Sequence, residues 1–310
     1  MKRLSLLAAL VVMWATSGCS SSSTSTPPTP APQAIYVSSF TSPGELAKVA
    51  LPMTASSSVT YLTPTGLVNS ISLRFDHAGN LWSGNDFTTG VATGYAAPIT
   101  NASTPFATIN IVGAMNPEAV AFDAAGNLWV ADGGAGKVYE FTPPFSGSIT
   151  PAPALTISSI AAPTGLAFDS AGNLYISSES TGTIQIFNPP FAAATASPIT
   201  GLSSPKGLAF DATGNLYIAD FSGKVSRMNA PTAGGGAISI VDTATGITSP
   251  EDVAVDSAGN VYVTDLQFAT VSMFPTATSP FSATLAPSVV LTLSGFPAGV
   301  HAGGVAVGAP

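Results

Sequence analysis

Val120-Ala-Phe-Asp-Ala-Ala-Gly-Asn-Leu-Trp129 alternates apolar and small residues on both sides of a short polar break. Val120 and Phe122 flank Ala121, and Leu128 and Val130 flank Trp129, a period of two that specifies paired strands. The break, Asp-x-x-Gly, suits a tight turn. An Asp side chain accepts nearby backbone N–H groups, and Gly adopts the positive φ that closes the turn. The same ten-residue pattern recurs at Leu73–Trp82, Leu166–Tyr175, Leu208–Tyr217 and Val253–Tyr262, with aspartates at 76, 123, 169, 211 and 256.

Outward from each hairpin lies further strand sequence. Lys137-Val-Tyr-Glu-Phe141, Thr183-Ile-Gln-Ile-Phe187 and Thr270-Val-Ser-Met-Phe274 read as third strands. Ala154–Ser158, Ala237–Val241 and Ser288–Leu293 read as fourth strands. Four short strands every 42 to 47 residues are the mark of propeller blades. The last residues, Gly304–Pro310, match the first strand of a repeat, whereas Ala34-Ile-Tyr-Val37 matches a second and Gly44–Val49 a third. Joined, they form a sixth blade. The expected fold is therefore all-β, a six-bladed β-propeller of four-stranded antiparallel blades, closed by pairing of the N- and C-terminal strands over residues 33–310.

The quoted repeats resemble NHL-type repeats and, more broadly, the six-bladed propellers that include gluconolactonase-like and low-density-lipoprotein-receptor-type blades. Before the third strand, where NHL repeats carry an Asn and an Arg, this chain has Gly133-Gly-Ala-Gly-Lys137 or Ser180-Thr-Gly-Thr183.

Composition narrows the function. Only 8% of the 310 residues are charged, against 45% hydrophobic, with 30 Gly and 26 Pro. Abundant turn formers and few charges agree with many short strands. Beyond Lys2 and Arg3 the basic residues are Lys48, Arg74, Lys137, Lys206, Lys224 and Arg227, which form no cluster in the sequence. Nucleic acid is not an expected partner, because phosphate binding needs clustered cations.

The N-terminus reads as an address. Lys2 and Arg3 precede an apolar run, Leu4–Ala15, then Thr16-Ser17-Gly18 and the sole cysteine, Cys19. A dozen apolar residues in a helix reach roughly 18 Å, short of the ~30 Å bilayer core. The run therefore reads as a cleavable export signal over residues 1–18. It resembles bacterial lipoprotein signal peptides, which implies a lipid on Cys19. The Ser/Thr/Pro tract up to Pro32 is a linker. The expected location is the cell membrane or outer membrane, facing periplasm or exterior, with membrane attachment through the lipid only.

Candidate chemistry follows from aligning the blades. Five residues before each turn aspartate, where the innermost strand enters the channel, the chain carries Ile71, Glu118, Thr164, Lys206, Glu251 and Gly303. Two residues earlier it carries Asn69, Asn116, Ala162, Ser204, Ser249 and His301. Glu118, Lys206, Glu251, Asn69, Asn116 and His301 are the candidate ligand-binding residues of a channel mouth. Arg74 joins them, because the next four blades place Ala121, Ala167, Ala209 and Ala254 at its position. It is expected either to donate to a ligand in the channel or to bridge to a carboxylate. The turn aspartates read as structural, and Asp132, Asp220 and Asp265 as braces for loops. Gly234-Gly-Gly236 lacks the Lys and helix of a phosphate loop. No nucleophile with its base is legible.

Three functions remain, one of them an envelope structural part whose many identical copies bind other envelope components. The first is a non-catalytic module that binds an unidentified envelope protein or small ligand, without a cofactor. The alternative is a lactonase- or lyase-like enzyme with a divalent metal at the mouth, where the resemblance to gluconolactonase-like propellers implies carboxylate and Asn ligands such as Glu118, Glu251, Asn69 and Asn116.

Overall fold

The computed structural model describes residues 33–85, 90–194, 198–229, 242–244, 246–275, 285–297 and 299–309. The expected signal and linker, Cys19, Gly234–Gly236 and the strand expected at Ala237–Val241 lie outside the described residues.

Each repeat folds into the expected hairpin, and the turn aspartate explains why. In the third repeat Asp169 Oδ1 accepts the backbone N–H groups of Ala171 and Asn173, both at 2.9 Å. Its Oδ2 accepts the Asn173 side chain at 2.8 Å and the Tyr175 hydroxyl at 3.4 Å. The other four turns repeat this set, with the Trp82 and Trp129 indoles or the Tyr217 and Tyr262 hydroxyls as the last donor. Gly172, like its four counterparts, has a φ near +80°, which a side chain would strain. One carboxylate thus fixes the turn and anchors the aromatic residue of the following strand.

Six sheets result. Blade 2 comprises Ser70–Phe75, Leu81–Asn85, Val91–Tyr95 and Ala107–Asn110; blade 3 comprises Pro117–Phe122, Leu128–Asp132, Lys137–Phe141 and Leu155–Ser158. Blade 4 has Pro163–Phe168, Leu174–Ser178 and Thr183–Phe187, its fourth strand reduced to bridges at Ala194 and Ile199. Blade 5 runs Pro205–Phe210, Leu216–Asp220, Lys224–Met228 and Asp242–Ala244, and blade 6 runs Pro250–Val255, Val261–Asp265, Thr270–Phe274 and Val289–Thr292. The expected four antiparallel strands are modified once more. Gly147–Ile149, from a loop of blade 3, adds a fifth and parallel strand to the outer edge of blade 2.

The closing blade is built from both ends of the chain. Ala302–Gly308 pairs antiparallel with Ala34–Ser39, which continues to Leu46–Ala50 and Val59–Leu62. The six first strands pack side by side around an axis, with Ala302–Gly308 between Ser70–Phe75 and Pro250–Val255. The chain is a six-bladed β-propeller.

Neighbouring blades are cemented by aromatic pairs. Tyr36, Trp82, Trp129 and Tyr175 meet Phe75, Phe122, Phe168 and Phe210 of the next blade edge-on, at 5.0–5.6 Å between centroids. Such pairs add about 0.5–1.5 kcal/mol each beyond burial. Phe145 and Phe191, each following a Pro-Pro pair, pack on Trp82 and Trp129. Their segments brace blade edges.

Because the turn carboxylate serves four donors, Asp169→Ala leaves several without a partner. The expected cost is about 2–3 kcal/mol, read as a lower denaturation midpoint at unchanged slope, whereas Ala171→Ser at the exposed tip has little effect.

Candidate functional site

The first strands enter the axis at the mouth and leave it at the Asp-x-x-Gly turns, so the propeller has a mouth face and a turn face. At the mouth the aligned ring brings charge together. Lys206 Nζ lies 3.0 Å from Glu179 Oε2 and 3.8 Å from Glu251 Oε1. Glu118 also acts on it electrostatically from blade 3. Glu118 and Glu251 are buried. The carboxylate of Glu118 rests against Gly133, where a methyl group would collide with it. Burial pulls the Lys206 ammonium down, but Glu251, Glu179 and Glu118 together outweigh it and hold its pKa above the usual value. Lys206 stays protonated and cannot act as a base near neutral pH. Its Nζ also stands 5.5 Å from the centroid of the Phe221 ring.

Of the other predicted mouth residues, Asn69 and Asn116 bond to loops through the main chain and His301 through its ring. Asn116 is held by Asp132, whose Oδ1 accepts its N–H at 2.9 Å, and its carbonyl accepts the Gly133 N–H at 3.0 Å. Asn69 sits at φ 43° and donates its N–H to the Thr41 carbonyl at 2.8 Å. The His301 ring bonds through Nδ1 to the Leu266 carbonyl, so it is turned to a loop of blade 6. Asp132, Asp220 and Asp265 brace loops as expected. Asp220 accepts the N–H groups of Ser203 at 2.8 Å and Ser204 and Ser222 at 3.1 Å, with the Ser222 hydroxyl at 2.6 Å.

Arg74 lies deeper. Its guanidinium crosses the axis and meets Asp252 of blade 6 through two bonds, at 2.9 and 3.0 Å. It also donates to the carbonyls of Leu73 at 2.6 Å and Leu208 at 3.1 Å. Asp252 in turn accepts the N–H of Val305, in the closing strand, at 3.0 Å. One ion pair therefore ties blades 1, 2, 5 and 6 across the channel. The bridge to a carboxylate, one of the two roles expected for Arg74, is present, and Arg74 also lines the cavity beyond it. Beyond the pair a cavity of about 330 Å³ opens on the turn face, walled by Ala121, Ala167, Ala209, Ala254 and Ala306.

Two residues of the axis escaped the sequence reading. Glu179 follows the second strand of blade 4, outside the aligned ring. Asp252 has a signal that goes unread unless its own position is aligned: Ser72, Ala119, Gly165, Gly207, Asp252 and Gly304 are small but for one.

A metal-binding mouth would need several carboxylate and amide donors converging on one point. Among the described residues no group of three His, Cys, Asp or Glu side chains is placed to hold an ion. The Lys206 ammonium stands by two of the carboxylates instead, a resident cation.

The family described as Strictosidine synthase-like, N-terminal, matches residues 236–267, a stretch containing Glu251 and Asp252. No curated protein matches. Among solved structures, a chain of a nidogen/laminin complex is 16% identical at a TM-score of 0.66, with 89% of this chain and 98% of that one covered. A putative 6-phosphogluconolactonase from Bacteroides uniformis is 15% identical at 0.60, over 83% and 81%. A protein of unknown function from Bacteroides caccae is 12% identical at 0.61, over 90% and 99%. The likeness is one of fold. It spans proteins with a partner and a putative enzyme alike, so function has to be argued from the site.

Two outcomes are expected. Arg74→Ala strands the buried Asp252 and costs on the order of 3–5 kcal/mol, whereas adding Asp252→Ala recovers part of the loss; a double-mutant cycle by urea denaturation reads both. Second, burial pushes the Asp211 and Asp220 carboxyls up, but hydrogen bonds outweigh it and leave both below the ordinary range. Their stabilisation is complete above an unfolded pKa of about 3.9 and disappears as pH falls through the lower folded values. Unfolding midpoints measured from pH 6 down to 2 should drop in that acid window, and less steeply in Asp220→Asn.

Proposed function

We propose that this chain is a non-catalytic ligand- or protein-binding propeller displayed at a bacterial cell envelope by a lipid on Cys19. The observation that carries the reading is the mouth, where Glu118, Glu179 and Glu251 gather around Lys206 in a chain with few charges. Three carboxylates against one ammonium favour a partner group rich in hydrogen-bond donors or positive charge. Exposed Met115 and Phe268 stand on loops of the same face, at 62% and 56% exposure. Apolar side chains around a polar centre are what a recognition surface needs.

The same geometry argues against acid–base work. Lys206 is held charged, Arg74 is committed to Asp252, and Asp132, Asp220 and Asp265 are committed to loop N–H groups. The residues resembling NHL-type repeats supply the blade hairpins rather than the mouth.

The test is photo-crosslinking in the cell that makes the protein, with a benzophenone side chain at position 268 or, as a control, at 171. A discrete adduct is expected from 268 and not from 171, and it should disappear when Glu118→Gln and Glu251→Gln are combined. Absence of an adduct overturns the binding reading. Hydrolysis of δ-gluconolactone by the purified protein, abolished in Glu118→Ala, replaces it with the enzyme.

A further inference from the structure

Two residues before each turn aspartate, the first strands carry Arg74, Ala121, Ala167, Ala209 and Ala254, and the closing strand carries Ala306 in the same place. All six line the cavity of about 330 Å³ on the turn face. Five methyl groups keep that end of the axis open, where branched side chains would fill it. The next residue in four blades is aromatic, and Phe75, Phe122, Phe168 and Phe210 line the same cavity. Tyr36, Trp82, Trp129 and Tyr175 hold these rings edge-on from the preceding blade, so the wall is fixed in shape. Among the described residues only Arg74 and His77 bring polar side chains to it.

Arg74 supplies one donor that the ring closure does not use. A guanidinium has five N–H groups. Nη1 donates to the Leu73 carbonyl and Asp252, with a longer contact to the Val305 carbonyl, and Nη2 donates to the Leu208 carbonyl and Asp252. Among the described residues Nε–H has no acceptor, yet the Arg74 side chain is 19% exposed.

Charge then decides what fits. Asp252 neutralises the guanidinium, and the turn carboxylates of Asp76, Asp123, Asp169, Asp211 and Asp256 lie on the same face. An anion would lose its water there without a net positive charge to receive it. A cation would meet the guanidinium itself.

We propose that the turn-face end of the axis is a binding site for a small uncharged ring compound. Its body packs on the alanine methyls and phenylalanine rings, and its carbonyl or hydroxyl oxygen accepts the Arg74 Nε–H. Ligand pockets span roughly 300–1,000 Å³, so this one, near the lower limit, suits a single ring with a short substituent. An aromatic ring gains further from edge-on contact with the phenylalanines. The Arg74–Asp252 pair stands between this site and the charged mouth, so the two bind independently.

Acetophenone is the probe, with benzoate as its anionic analogue of similar shape. Each is titrated into purified protein whose alanine methyls and arginine Nε are observed by NMR. Acetophenone should shift the methyls of Ala121, Ala167, Ala209 and Ala254 together with Arg74 Nε–H, and should bind about ten-fold more tightly than benzoate. Ala209→Leu, which fills the cavity, should weaken acetophenone about ten-fold, whereas the same change at the exposed tip, Ala124→Leu, leaves binding as it was. Benzoate binding as tightly as acetophenone, shifts at other alanines only, no shift up to the solubility limit, or wild-type affinity in Ala209→Leu overturns the site. Should Ala209→Leu fail to fold, the methyl and Nε shifts of the unaltered protein decide the matter alone.

Discussion

The pairing of Ala302–Gly308 with Ala34–Ser39 is what turns a row of sheets into a ring. Without it, the hairpin edges of both end blades would lie open, a liability for any sheet protein. With it, the six first strands surround one axis, and residues far apart in sequence acquire fixed neighbours. The Arg74–Asp252 pair is a second closure at the same place, because Asp252 also holds the N–H of Val305. Backbone and side chain close the ring together. The charged mouth and the alanine-walled cavity both exist only inside that ring.

Local chemistry made most of the fold legible. An Asp-x-x-Gly-Asn turn followed by an aromatic carries its hydrogen-bond partners within seven residues, so five hairpins and their spacing could be read directly. The number of blades then followed from matching the chain ends. What could not be read depends on contacts between segments. The parallel strand Gly147–Ile149 is three residues long and has no periodic signal; its place is set by Ala107–Asn110 of another blade. The thinning of blade 4 is of the same kind.

The site was legible in part for the same reason. Register put Glu118, Lys206 and Glu251 on one ring, since the first strands are equivalent. Glu179 reaches that ring from a different strand position, aligned in the sequence with Phe40, Asp86, Gly133, Phe221 and Leu266, and no alignment of first strands finds it. Asn69 and Asn116 bond to loops through the main chain, and His301 does so through its ring. Arg74 and Asp252 are each an exception in a ring of small residues. Gly207 gives Asp252 its room, since any side chain there would collide with the carboxylate.

Trp82 and Trp129 are 1% and 0% exposed, and each indole N–H reaches a turn carboxylate at 3.0–3.1 Å. They are the two indoles of the described propeller, and both lie in adjacent sheets near one rim. Their emission is thus an optical gauge of one sector of the disc, blue while the indoles stay dry and red once water enters. Loosening on the far side of the axis, around Tyr217 and Tyr262, would leave that colour unchanged, so fluorescence and circular dichroism would diverge wherever the disc gives way piecemeal.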